Sequence, residues 1–217
     1  MKKTILILIV AVFCLQNTCL SQKSRVGVTG GITIANMRGT VDGKDIDGNS
    51  KTGPTFGLIV DVPFQDHFSF QPGLHYVQKG KVQDEINGTT RQTVTTALRY
   101  AELQLNFLYN SNYNTNSNEG NFFAGVGPAL SINLPSKFVT DIGGTKTETD
   151  ITFGNETENF RGFDFGANFL AGFRFPGGFF VSANYTLGLR NLVPGGSDAD
   201  KIKNSCIGIR LGFLVNN

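Results

Sequence analysis

Apolar and polar residues alternate along most of this chain with a period of two, and the pattern is clearest from Arg161 to Arg190. Phe163, Phe165, Ala167, Phe169, Ala171, Phe173 and Phe175 hold one parity, while Asp164, Gly166, Asn168, Gly172 and Arg174 hold most of the other. Only an extended strand sends two such sets to opposite faces. Pro176, Gly177 and Gly178 interrupt the pattern, and Phe179, Val181, Ala183, Tyr185, Leu187 and Leu189 then resume it opposite Ser182, Asn184, Thr186, Gly188 and Arg190. The stretch predicts a β-hairpin. Each arm has about a dozen residues, beyond the ~5–6 of an ordinary strand and enough for the ~9–11 of a tilted membrane-crossing strand.

Six more segments alternate in the same way, so eight strands are predicted. The first, Arg25 to Met37, sets Val26, Val28, Ile32 and Ile34 against Gly27, Thr29, Gly31 and Thr33. The second, Gly53 to Val62, sets Phe56, Leu58, Val60 and Val62 against Thr55, Gly57 and Asp61. In the third, Phe68, Phe70, Leu74 and Tyr76 oppose Ser69, Gln71, Gly73 and His75. The fourth, Leu98 to Asn110, has the sharpest contrast, with Leu103, Leu105, Phe107 and Tyr109 against Tyr100, Glu102, Gln104 and Asn106. The fifth runs from Asn121 to Asn133, and its Pro128 lacks a ladder donor, a misfit that a bulge would accommodate. The hairpin supplies the sixth and seventh, and Ile207 to Val215 lies in the eighth.

The links between these strands alternate in length. Those at 38–52, 81–97, 134–160 and 191–201 are long, whereas 63–67, 111–120 and 176–178 are shorter. An up-and-down sheet with an even strand number places all the long links at one end, the asymmetry of outer-membrane barrels with their short periplasmic turns. An eight-stranded antiparallel up-and-down transmembrane β-barrel is the fold expected, with both termini on the periplasmic side.

The choice of outer face rests on composition. A soluble barrel turns its apolar parity inward and needs a charged exterior. Here the second parity is mainly Gly, Ser, Thr, Asn and Gln, and charged residues make up only 17% of the chain against the usual ~25%. The apolar parity is therefore expected to face lipid. The alternative is a secreted, soluble, lipocalin-like barrel that binds an apolar ligand. An eight-stranded interior is just wide enough to be filled by side chains, so free conduction of solutes is not expected. Asp61, His75, Glu102, Asp164, Arg174, Arg190 and Arg210 are assigned to that interior as a structural network of paired charges, with Glu102 expected to pair with Arg174, Arg190 or Arg210.

The N-terminus carries an export signal. Lys2 and Lys3 precede an apolar run from Ile5 to Leu15, and Cys19 and Ser21 are small residues at the −3 and −1 positions of a cut before Gln22. Residues 1–21 are read as a signal peptide and 22–217 as one barrel domain. Removing the peptide leaves 17 basic against 17 acidic residues, since Lys2 and Lys3 go, and a neutral chain offers nothing for nucleic acid. Cys206 is then the sole cysteine and forms no intrachain disulfide.

Catalytic and metal motifs are missing from the pattern. Asp42, Asp45, Asp47 and Asn49 resemble a calcium loop, but Gly43 and Pro54 stand where the first and last ligands belong, so a solvated turn is expected. No cofactor, metal or enzymatic activity is expected, and the chain is expected to be a monomer in outer-membrane lipid.

The YAELQLNFLYN segment at 100–110, GVGPALSIN at 125–133 and FGANFLAGFRF…GFFVSANYTLGLRNL at 165–192 resemble the PorT-like outer-membrane β-barrel family of small porin-like proteins. The resemblance covers nearly all of the chain after the signal and implies a small barrel, with some members assisting protein secretion or sorting. It transfers no functional residue, although Glu102 matches an acid frequent in that strand. A structural role, or capture of a protein partner by the long loops, is the function expected.

Overall fold

The computed structural model describes residues 24–46, 48–87, 90–112, 119–197 and 199–215; the signal-peptide reading, Asp47 and the chain end at Asn216 and Asn217 lie outside them. Ten strands occur among the described residues: β1 (Arg25–Val41), β2 (Lys44–Asp45), β3 (Asn49–Gln65), β4 (Phe68–Asn87), β5 (Thr90–Asn110), β6 (Asn121–Ile142), β7 (Thr145–Asp150), β8 (Phe163–Arg174), β9 (Phe179–Gly188) and β10 (Lys201–Val215). Eight of them form an antiparallel ring in the order β1, β3, β4, β5, β6, β8, β9, β10, closed by pairing of β10 with β1 from Val26↔Val215 to Thr40↔Lys201. Closure removes the ring's free edges. The expected up-and-down barrel is present, with β2 and β7 as additions at the long-loop end.

Burial runs opposite to that of a soluble protein. Leu58 is 60% exposed, Phe107 57% and Phe122 68%, whereas Asp61, Glu102, Asn168 and Asn204 are almost wholly buried. An exterior this apolar around a polar interior is stable only when lipid covers it. At the short-turn end the exterior carries touching aromatic rings, with Phe68 beside Tyr109 at 5.6 Å and Phe122 beside Phe173 at 4.7 Å. Such a girdle suits a membrane–water interface. The lipocalin-like alternative fails, because the face it needs for an apolar ligand is lined by charges and amides.

Pro128 sits in the wall without a bulge. Its pairing with Ala167 of β8 keeps register, while on the β5 side the ladder stops at Gln104↔Ala129 and resumes at Phe107↔Val126 with no shift. A short gap in pairing accommodates the missing donor.

Glycine inside the barrel makes room for large neighbours. A Cβ on Gly208 would lie 2.3 Å from Asn184 Oδ1, and one on Gly212 would lie 2.2 Å from Phe180 Cζ. The apolar inner layer that includes Phe180, with Ile59, Leu108, Phe123 and Leu214, is thus fitted against glycine-bearing strands.

Three links expected as loops are mainly strand. β4 and β5 continue as one hairpin to Asn87↔Thr90, through most of the 81–97 link. β6 continues past Ile132, its last contact with β8, and turns at Gly143 and Gly144, with φ of 59° and 91°, to pair with β7. The 38–52 link holds the ends of β1 and β3 and the β1–β2 turn at Asp42 and Gly43, with φ of 51° and 72°. Asp42 and Gly43 thus form a tight hairpin turn. Turn chemistry concealed these extensions, since Thr-rich polar strands lack an apolar parity.

Candidate functional site

The inner side chains stack in layers that join opposite walls. β3 and β8 are four places apart in the ring of eight, as are β5 and β10. Near the short-turn end, Arg174 of β8 and Arg25 of β1 each place Nη2 3.0 Å from Asp61 Oδ2 of β3. One layer up, Asn168 of β8 donates to Asn106 Oδ1 of β5 at 2.9 Å and accepts from Asn184 and Thr186 at 3.1 and 2.9 Å. Next, Arg210 of β10 donates to Gln104 Oε1 at 3.0 Å, and Gln104 passes a hydrogen bond to Glu102 Oε1 at 2.7 Å. Bonds across the full diameter tie opposite walls together.

Lys79 completes the third layer. Its Nζ lies 2.6 Å from Glu102 Oε2 and 3.9 Å from Asp164 Oδ2, and Ser131 donates to the same Glu102 oxygen at 2.8 Å. Asn204 of β10 donates to both Asp164 Oδ2, at 2.9 Å, and the Tyr100 hydroxyl, at 3.0 Å. The expected partner of Glu102 is therefore corrected. It is Lys79, not Arg174, Arg190 or Arg210, because Arg174 is engaged by Asp61 two layers away and Arg210 reaches only Gln104. Lys79 keeps the inward parity of His75 and Val77, a signal the sequence carries.

Six of the seven assigned interior residues lie inside: Asp61, His75, Glu102, Asp164, Arg174 and Arg210 are each buried. Arg190 does not. β9 ends at Gly188, and the amides of Leu189 and Arg190 both donate to the Phe165 carbonyl, at 2.8 and 3.3 Å, which cancels the alternation. The Arg190 guanidinium lies over the Phe163 ring at 5.3 Å, away from the acidic interior residues. Cys206 is a free, buried thiol facing inward.

The long-loop mouth is stoppered. Ile151, Phe160 and Leu192 come from the links on either side of the β8–β9 hairpin and bury themselves on Met37, Leu98 and Tyr100. Backbone bonds fix them, from Ile151 to Ser136 at 2.9 Å, from Arg161 to Leu192 at 2.8 Å and from Leu192 to Ile202 at 2.8 Å. Parts of the 134–160 and 191–201 links are thus a plug, which no period-two pattern could announce.

A four-stranded blade continues past the ring, formed by the far ends of β4, β5 and β6 with β7. Register shifts between Ala97 and Arg99 and between Ser50 and Thr55 mark where it departs, and Ser136 Oγ holds the first by accepting the Arg99 amide at 2.9 Å. Its sides carry paired charges. Arg91 lies 3.0 Å from Asp84, whose carboxyl is held below its usual range by a hydrogen bond from Thr93 and then by Arg91. Lys137 bonds to Glu148 and lowers that carboxyl likewise.

A family model described as outer membrane protein beta-barrel domain matches residues 16–193. The chain belongs to this outer-membrane β-barrel family. Membership accords with the inverted burial and places the protein in the outer membrane. Among solved structures, Ail, the attachment invasion locus protein of Yersinia pestis, is 12% identical with a TM-score of 0.43, over 89% of this chain and 100% of that one. OprG from Pseudomonas aeruginosa is 10% identical with a TM-score of 0.46, over 90% and 98%. Neisserial surface protein A is 11% identical with a TM-score of 0.41, over 88% and 96%. No curated protein matches the chain.

Proposed function

We propose that this family member is a non-enzymatic, monomeric membrane platform that presents its blade to a protein partner outside the bilayer. The observation that carries this reading is the contrast between the two ends of β4, β5 and β6. Their lower halves bury side chains that lock the lumen, Lys79 of β4 and Glu102 of β5 among them, whereas their upper halves form a sheet whose last strand, β7, is exposed along its whole length. A transport path would need an open bore, and the layers from Asp61 to Tyr100 fill it. A paired, turn-closed sheet is a rigid support for recognition. The resemblance to PorT-like barrels supports a partner in protein secretion or sorting.

The test separates blade from plug. Replacing residues 139–148 by an Asn-Gly turn lets Phe138 and Thr149 close a shorter hairpin and leaves Ile151 and Phe160 in place. The shortened chain should still show the heat-dependent gel mobility of a folded barrel. Its capture of envelope proteins in a pull-down from native membranes should fall. Undiminished capture after removal of both this hairpin and the β4–β5 tip would leave only a structural role.

A further inference from the structure

We propose that the outer wall at the long-loop end holds a site for the phosphate-bearing headgroup of an anionic lipid, formed by Arg38, Lys201 and Lys203. These residues line an open cleft of about 690 Å³ between the end of β1, the start of β10 and the link after β9. Arg38 stands directly opposite Lys203 in the β1–β10 register, and Lys201 is two residues further along the same strand. Like charges set opposite one another on a sheet repel. Among the described residues none of the three makes an ion pair. Arg91 and Lys137 of the blade, by contrast, each have a carboxylate partner. The cleft is therefore an uncompensated positive site, complementary to an anion.

Its position selects the kind of anion. Leu187 and Leu189 form the lower wall of the cleft, at 37% and 44% exposure, and continue the lipid-facing surface through Ile207. Asn191 lines the other side, with its side-chain Oδ1 accepting the amides of Val193 and Ile202 at 3.0 Å each. An occupant thus meets apolar side chains on the bilayer side and three cations at the level where headgroups lie. A lipid with a terminal phosphate satisfies both, its acyl chains on the leucines and its charge at the basic cluster. The site would fix the depth and rotation of the barrel and hold the blade at a constant height.

This inference rests on the outer-membrane placement, and the experiment reports on the two separately. The full chain, folded in a neutral detergent, is mixed with phosphatidic acid, with phosphatidylcholine of the same acyl chains, or with inorganic phosphate, and bound lipid is counted by native mass spectrometry. Phosphatidic acid should be retained at least tenfold over phosphatidylcholine, and inorganic phosphate at millimolar concentration should displace little of it. The R38Q/K203Q variant should lose the preference, R91Q/K137Q should keep it, and K203R should keep it. A heat-dependent gel shift shows which variants are folded, and its absence in the parent chain would instead count against the membrane barrel. Equal retention of the two lipids by the folded parent, or an undiminished preference in folded R38Q/K203Q, overturns the proposal. So does complete displacement by inorganic phosphate, which would make the cleft a site for the free anion. Should R38Q/K203Q fail to fold, K201Q decides the matter, with unchanged retention overturning the site.

Discussion

Lys79 Nζ stands 2.6 Å from Glu102 Oε2, and the two side chains retain 2% and 1% of their solvent exposure. Each is therefore the other's principal compensation in a medium that solvates ions poorly. Glu102→Ala should destabilise the barrel by about 3–5 kcal/mol, because it strands the ammonium. The double change Lys79→Met/Glu102→Met should recover part of that loss. Urea-driven unfolding in detergent or vesicles gives both values, and a single-variant cost near zero would place the pair in water.

Asp61 and Arg190 test the corrected assignment of the interior. One oxygen of Asp61 receives both Arg25 and Arg174, so Asp61→Ala should cost several kcal/mol by leaving two buried guanidiniums without it. Arg190 lies on the Phe163 ring outside the network, and Arg190→Ala should cost only about 0.5–1 kcal/mol. Equal penalties for the two variants, measured by the same unfolding assay, would return Arg190 to the lumen.

The blade should loosen in acid before the ring does. The carboxyls of Asp84 and Glu148 are held below their usual range by partners that the unfolded chain lacks, the Thr93 hydroxyl and the Lys137 ammonium respectively. For a depressed carboxyl the stabilisation is complete above the unfolded value and disappears as pH falls through the folded one. Protection of the β7 amides against hydrogen exchange, corrected for the intrinsic rate, should thus decline below about pH 4 while amides of β9 and β10 stay protected. Simultaneous loss in both regions would mean that blade and ring open as one unit.

The parity of the strands was readable from the chain because lipid and lumen impose opposite demands on neighbouring residues. Leu103 and Gln104, or Phe169 and Asn168, show it in two letters. What the parity could not tell was where a strand stops. Thr93, Thr95, Thr147 and Thr149 belong to a sheet with water around it, and polar residues on both faces erase the alternation. Lys79 is hard to read for a related reason, since Val77 on the inward side blurs the contrast just before it. Arg190 escapes the alternation because β9 ends two residues before it, at Gly188. The plug of Ile151, Phe160 and Leu192 depends on links folding back over the mouth, a tertiary event that leaves no local period.

Gly208 and Asn184 provide the sharpest test of interior packing. Added at Gly208, a Cβ would meet Asn184 Oδ1 at 2.3 Å, and the Asn184 amide is the group that donates to Asn168 at 3.1 Å. Gly208→Ala must therefore either strain the wall or push the Asn184 amide out of its layer, at about 1–3 kcal/mol. Asn184→Ala alone loses the hydrogen bond but creates the space that alanine at position 208 requires. The double variant should then be no less stable than Asn184→Ala by itself, a coupling of about 1–3 kcal/mol in a double-mutant cycle. Additive losses would show that the crowding comes from the backbone of the wall, and that the amide layer does not set which strands can carry a side chain.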